Sequence, residues 1–351
     1  MADLSDLVTE QPAAPTEPPP AEPSRRTLPV PWPTLALLAV LAVFAVALWD
    51  NGQLGNFVSW RHFRDLLRHN AVTLVVALGM LLVIISGGID LSVGSVAALV
   101  TVVTVLAYNA VLERTGSEAV ASAAAVAAGV GVGGLCGLVN GLSVTLLRVT
   151  PFVATLGMYG MARGAGVWLA DRKTVPMHGE QPEWLSALAR AEWGRSLPGV
   201  GVWSALLLCV VIAVLLRRTV FGRHVYAIGS NEATARLCGV AVERTKLCVY
   251  VLAGLLTGWA GVLLLARLNS GNGDVAVGLE LDVIAAVVVG GASLAGGRGG
   301  VAGTLFGVLA LAALERAVSF LELIVEVKLI LIGAIVVLST ALGQWQRRRG
   351  G

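Results

Sequence analysis

Ten stretches of this chain are long and apolar enough to be read as membrane spans, and nothing else in it constrains the fold as much. They lie at about 33–49, 70–86, 90–110, 118–147, 151–170, 201–217, 247–266, 282–296, 300–315 and 327–343. A spanning helix needs about 20 mostly apolar residues. Hydrocarbon offers no partner for backbone amides and carbonyls, so only helices and closed barrels cross it. The chain is 56% hydrophobic and 13% charged, where a soluble domain carries about 25% charged residues. The expected fold class is all-α: a polytopic membrane helix bundle of about ten transmembrane helices. The 118–147 stretch is long enough to be tilted, and the glycine-rich 282–296 and 300–315 stretches read as broken or buried helices.

The two ends differ from the middle. Nine of the thirteen prolines fall between Pro12 and Pro33, so residues 1–31 read as a disordered cytoplasmic tail that cannot bury apolar area. Its acidic start (Asp3, Asp6, Glu10) does not suit a secretory signal. Residues 32–345 form the transmembrane domain, and 346–351 a basic C-terminus. The 217–246 loop holds Arg217, Arg218, Arg223, Arg236, Arg244 and Lys246 against Glu232 and Glu243. The positive-inside rule therefore places this loop, and with ten spans both termini, in the cytoplasm. The 171–200 loop is charge-balanced and falls outside. Arg61, Arg64 and Arg68 also fall outside; with Trp60, Phe63, Leu66 and Leu67 they read as a helix lying in the membrane interface.

A net charge of +3, spread over loops, gives no reason to expect nucleic acid. Cys136, Cys209, Cys238 and Cys248 show neither metal-ligand nor disulfide spacing and read as packing residues. Gly129, Gly131, Gly133, Gly134 and Gly137, and the glycines from Gly290 to Gly300, suit close helix packing in lipid. Trp32, Trp49, Trp168, Trp203 and Trp345 sit near span ends as interface anchors.

Polar residues at span ends are the candidate sites. Gly87-Gly88-Ile89-Asp90-Leu91-Ser92-Val93-Gly94-Ser95 interrupts a long apolar run. Asp90 reads as the N-cap of the third span, accepting from amides near Val93, and equally as a pathway residue together with Ser92. Asp282 starts the eighth span as Asp90 starts the third, at the opposite membrane face, as an inverted repeat of spans 2–5 and 7–10 would produce. Glu280 and Asp282 read alternatively as solvated loop residues. Pro151 opens the fifth span, and Phe152 and Thr155 share a face three residues apart. That pair suits either plain packing or a sugar ring, and Asn140 suits either an interhelical hydrogen bond or the pathway.

The 217–246 loop is expected to hold one short amphipathic helix, capped by Asn231, with turns at Gly222, Gly229 and Gly239. Ala233, Ala235 and Leu237 give it a shallow apolar surface for a partner's groove. An ordinary basic loop held near anionic membrane lipid fits as well. The sequence has no phosphate-cradling Gly-x4-Gly-Lys-Ser/Thr loop, serine-nucleophile elbow or zinc motif. The isolated chain is therefore not expected to be an enzyme or to carry a cofactor.

From about Phe57 to Gly343 the chain resembles the ribose/xylose/arabinose-type permeases, the membrane subunits of ATP-binding-cassette (ABC) sugar importers. The matching motifs are Gly87–Ser95, Pro151–Gly157, Phe221–Gly239 and Gly278–Gly299. The resemblance implies a bacterial plasma-membrane permease that works as a homodimer or with a paralogous permease. It also implies a cytoplasmic ABC ATPase and a periplasmic or lipid-tethered sugar-binding protein. Gly222, Arg223, Gly229, Asn231, Glu232, Ala233, Arg236 and Gly239 would then form the ATPase-coupling surface. Asp90, Ser92, Asn140, Phe152, Thr155 and Asp282 would line the translocation pathway. Two rivals stand beside this reading: a branched-chain amino acid-type ABC permease, and an ion-coupled secondary transporter. The second would need paired acids in mid-membrane.

Overall fold

A computed structural model describes residues 54–321, except 180–181, 190–191 and 194–196, with scattered positions on either side. The proline-rich tail and the basic C-terminus lie outside the described residues, as do nearly all of the 33–49 and 327–343 stretches. A four-residue turn, α1 (Leu54–Phe57), leads to α2 (Trp60–Ile85), α3 (Val93–Thr115), α4 (Glu118–Thr145) and α5 (Pro151–Leu169). The next connection carries strand β1 (Val175–Pro176), α6 (Glu183–Ala189), β2 (Glu192–Trp193) and β3 (Leu197–Pro198). Then come α7 (Val200–Arg218), α8 (Val220–Ser230), α9 (Glu232–Leu237), α10 (Val242–Leu268), β4 (Ser270–Gly271), α11 (Leu279–Val289) and α12 (Val301–Phe320).

Six of the described helices are long and apolar enough to cross a membrane: α2, α3, α4, α7, α10 and α12. The chain is thus mostly helical and multi-pass. α5 is 19 residues long but carries four glycines and Arg163, which lower its hydropathy. α11 is only 11 residues long, about 16 Å, or half of a hydrocarbon core. The expectation of a short, interrupted helix over 282–296 is met, whereas α12 is a full-length helix over the 300–315 stretch.

α2 is the central helix. From Val75 to Ile85 its apolar side chains are all buried, as an all-round apolar helix requires. The expected interfacial helix around Arg61–Arg68 is instead the first part of α2. No proline interrupts the run, and Ser59 Oγ caps its start by accepting from the His62 amide at 3.2 Å. Arg64 and Leu66 are buried rather than laid on a surface. Arginines from two other helices hold these polar turns: Arg267 Nη1 donates to the His69 carbonyl at 3.3 Å, and Arg316 Nη2 lies 3.1 Å from His69 Nδ1.

Glycine sets the closest crossing. Gly133 and Gly137 of α4 face Gly254 and Gly258 of α10, and a Cβ on any of the four would collide with the opposing backbone. Dispersion contacts between backbones take the place of a water-driven force there. Gly131 meets no neighbour within 4 Å, so it has no part in that crossing.

α10 runs from the basic loop to the β1–β4 pair. Its first residue, Val242, packs with Ile228 of α8 and Ala235 of α9. Beyond its last turn, β4 pairs antiparallel with β1, with Val175 opposite Gly271. The basic 217–246 loop and the 171–200 loop therefore lie at opposite ends of the bundle. The starts of α3 and α11 do not lie on opposite faces, as expected for the Asp90 and Asp282 ends; they abut. A Cβ on Gly94 would run into the Glu280 carboxylate and the Ala276 carbonyl. From there α3 runs toward Asn272, whose amide donates to Thr101 Oγ1 at 3.1 Å. α11 runs the other way, to Gly290 packed on Gly303. The starts can meet because Gly94 puts no side chain between them.

Candidate functional site

Two polar constellations stand out, and a glycine junction joins them. The first is a buried knot around the α2–α3 connection. Asp90 Oδ1 accepts from the Ser92 amide at 2.8 Å and from Ser92 Oγ at 2.6 Å. Asn140 Nδ2, from α4, donates to Ser92 Oγ at 3.0 Å. Thr155 Oγ1, from α5, donates to the Ile89 carbonyl at 3.2 Å. All four side chains are buried. Asp90 is not the helix cap: α3 begins at Val93 after Ser92, which makes no side-chain capping bond. Asp90 instead closes a local turn that fixes its own loop. Tyr250 of α10 points its hydroxyl at Gly88, where a Cβ would stand 2.6 Å away.

Two pathway candidates stay apart from this knot. Phe152 is 53% exposed while Thr155 on the same helix is fully buried, so they do not present one face. Asp282 sits in the first turn of α11 and is partly buried. Its neighbour Glu280 is buried rather than solvated.

The second constellation is the basic loop, which forms two helices where one was expected. α8 ends at Ser230, and Asn231 then caps α9 through Oδ1, which accepts from the Thr234 amide at 2.9 Å. Gly239 makes the expected turn with φ +82°. Gly222 and Gly229 lie inside α8 and serve close approach instead. A Cβ on Gly222 would meet the Leu216 carbonyl, and one on Gly229 the Ile85 carbonyl and Gly297 amide. Ala235 is buried beneath α9, while Glu232, Ala233, Arg236 and Leu237 face outward with Arg223 of α8. Leu237 is 89% exposed.

α9 is tied to α10 by charge. Lys246 Nζ donates to Glu232 Oε2 at 2.6 Å, and Arg236 bridges Glu232 and Glu243. The Lys246 bond, helped by Arg236, holds the Glu232 carboxyl below its usual range. The bridge to Glu243 raises Arg236 further. Arg236 therefore spends its guanidinium within its own chain.

The junction between the two constellations is built from glycines. The Gly297 amide donates to the Ile85 carbonyl at 2.9 Å, and Gly296 lies against Gly229 and Gly87. Gly87, Gly296 and Gly297 have φ of +86°, +85° and +71°, which side chains would strain. Tyr226 of α8 donates to the Gly299 carbonyl at 2.8 Å. α8 is thus wedged between the root of the Asp90 loop and the segment leaving α11.

The arrangement wires an exposed charged element to a buried loop. The family described as the branched-chain amino acid transport system / permease component matches residues 63–340. The chain belongs to that family. The permease is 37% identical over 309 residues to the ribose import permease protein of Escherichia coli strain K12, covering 86% of this chain and 92% of that one. It is 35% identical over 296 residues to the L-arabinose ABC transporter permease protein of Azospirillum brasilense, covering 84% and 83%. No solved structure matches it significantly.

Sequence reasoning missed Arg163 and undervalued Glu280. Arg163 Nη1 donates at 2.8 Å to the carbonyls of both Gly273 and Val275, and its head group lies 5.7 Å from the Tyr159 ring centroid. The available signal was the charge itself, since an arginine inside an apolar stretch marks function by default.

Proposed function

We propose that this permease is the membrane-spanning subunit of an ATP-driven importer that carries a monosaccharide of the ribose or arabinose class into the cytoplasm. The observation that carries the reading is the wedge of α8 between Ile85 and Gly297. An ATPase that moved α8 and α9 on binding or hydrolysing ATP would move the root of the Asp90 loop and the α11–α12 connection together. Coupling then requires only that the ATPase bind the two arrangements with different free energies. The ATPase docks on Ala233 and Leu237, with Arg223, Glu232 and Arg236 around them. A sugar-binding protein docks at the opposite end, over the 171–200 segment. The permease works as a pair, with a second copy or a paralogue, and both termini are cytoplasmic. Ten spans related by an inverted repeat complete the architecture. The chain has no catalytic role of its own, since ATP hydrolysis belongs to the separate subunit.

A branched-chain amino acid cargo is the second reading, favoured by the family's description. Uptake of labelled ribose, L-arabinose and leucine, with and without this chain, separates the two. Loss of one pentose's uptake on deletion, with sensitivity to vanadate, is expected. Loss of leucine uptake alone would favour the second reading. Collapse with a protonophore while ATP is held constant would overturn ATP coupling.

A further inference from the structure

In the buried knot around Asp90 the Asp90, Ser92, Asn140 and Thr155 side chains bond one another or the local backbone, so these four hold a loop. The opposite is true where α11 meets the first turn of α3. Glu280 is 8% exposed and its Oε2 finds no hydrogen-bond partner among the described residues. Ser95 Oγ is fully buried and is also without a partner among them. The carboxylate fits only because position 94 is glycine, where a Cβ would collide with Oε2.

The backbone around Glu280 is held for it. Ala276 has φ +58°, strained for a side chain, and its carbonyl also lies against Gly94. Arg163 pins the carbonyls of Gly273 and Val275 just before that turn, and its Nη2 is buried without a partner among the described residues. The two abutting helix starts offer positive dipole ends to the carboxylate. Neither α3 nor α11 has a side-chain cap. A carboxylate oxygen kept dry and unpaired inside a membrane bundle is costly, and such groups mark substrate paths.

We infer that Glu280 and Ser95, at the meeting point of the α3 and α11 starts, form a hydroxyl-binding subsite of the translocation pathway, with Arg163 as the positioning residue. A sugar hydroxyl is both donor and acceptor. It would donate to Glu280 Oε2, and Ser95 Oγ, one residue beyond Gly94, offers a second polar group to the same sugar. The inference rests on the sugar reading above and adds to it the residues that read the cargo.

The test uses the complete transporter, with its ATPase and binding protein, reconstituted in liposomes. Labelled ribose and L-arabinose are the probes, and their monodeoxy analogues the competitors. Glu280→Gln is expected to lower kcat/KM for uptake about 10- to 100-fold, the size of a lost bond to a charged group. It should also erase discrimination against the one deoxy analogue that lacks the bound hydroxyl. A purely structural carboxylate would slow all probes alike and leave discrimination intact, which would overturn the inference. Should Glu280→Gln fail to assemble, Ser95→Ala carries the test, because that hydroxyl makes no bond the fold needs. Unchanged discrimination in Ser95→Ala then overturns the inference. Uptake of neither sugar by the unaltered transporter would sink the sugar reading and this inference together. Uptake with unaltered discrimination in the variants would sink this inference alone.

Discussion

Asp90 and Asn140 join the same buried knot with different stakes. Asp90 Oδ1 accepts two bonds, from the Ser92 amide and hydroxyl, while Asn140 contributes one donor. Removing an acceptor from buried donors costs about 1–3 kcal/mol, whereas single polar bonds between membrane helices average about 0.6 kcal/mol. Asp90→Ala should therefore lower the thermal midpoint of the purified permease more than Asn140→Val. Equal shifts would mean that the Asp90 loop is not held by its own turn. At this scale the sequence marked Asp90, Ser92, Asn140 and Thr155 because polar groups stand out in apolar runs. It could not tell that they converge, since Asn140 lies 48 residues from Ser92. Nor could it set Phe152 apart from Thr155, because spacing gives a helical face but not which neighbour covers it.

Glycines act at the scale of elements, and their burial sorts them. Gly137 of α4 meets the Tyr250 carbonyl and Gly254 backbone of α10, whereas Gly160 of α5 meets nothing within 4 Å. Gly137→Val should destabilise the fold by several kcal/mol, by the overpacking of a close crossing. Gly160→Ala should leave the thermal midpoint unchanged. A harmless Gly137→Val would show that the α4–α10 crossing relaxes freely. The sequence supplied glycine-rich stretches but not their pairing. The shortness of α11 was legible in its glycines, but the stop at Val289 was not, because glycines alone do not fix where a helix ends. The two helices of the basic loop were half legible: Asn231 as a cap was visible, but the break before it was not.

At the scale of the whole molecule, the proposed function requires the outer surface of α9 to bind a partner without losing its own anchorage. Leu237 is almost bare, so Leu237→Asp should weaken ATPase co-purification at least tenfold while leaving the permease's thermal midpoint unchanged. Arg236→Glu should do both kinds of harm, since it places a third carboxylate beside Glu232 and Glu243. A lower midpoint for Leu237→Asp would show that α9 packs on its own chain instead.

The sequence by itself determined that this chain is a helical membrane protein, that it carries a basic loop between apolar spans, and to which permease family it belongs. Hydropathy, charge and motif spacing are local properties, and each is written in consecutive residues. Only the tertiary structure decided that α8 is wedged between Ile85 and Gly297, that α3 and α11 start against each other, and that Glu280 Oε2 is buried without a partner among the described residues. Those facts depend on segments far apart in the chain, brought together by the burial of α2 and the close approach of glycine backbones, which no local pattern encodes.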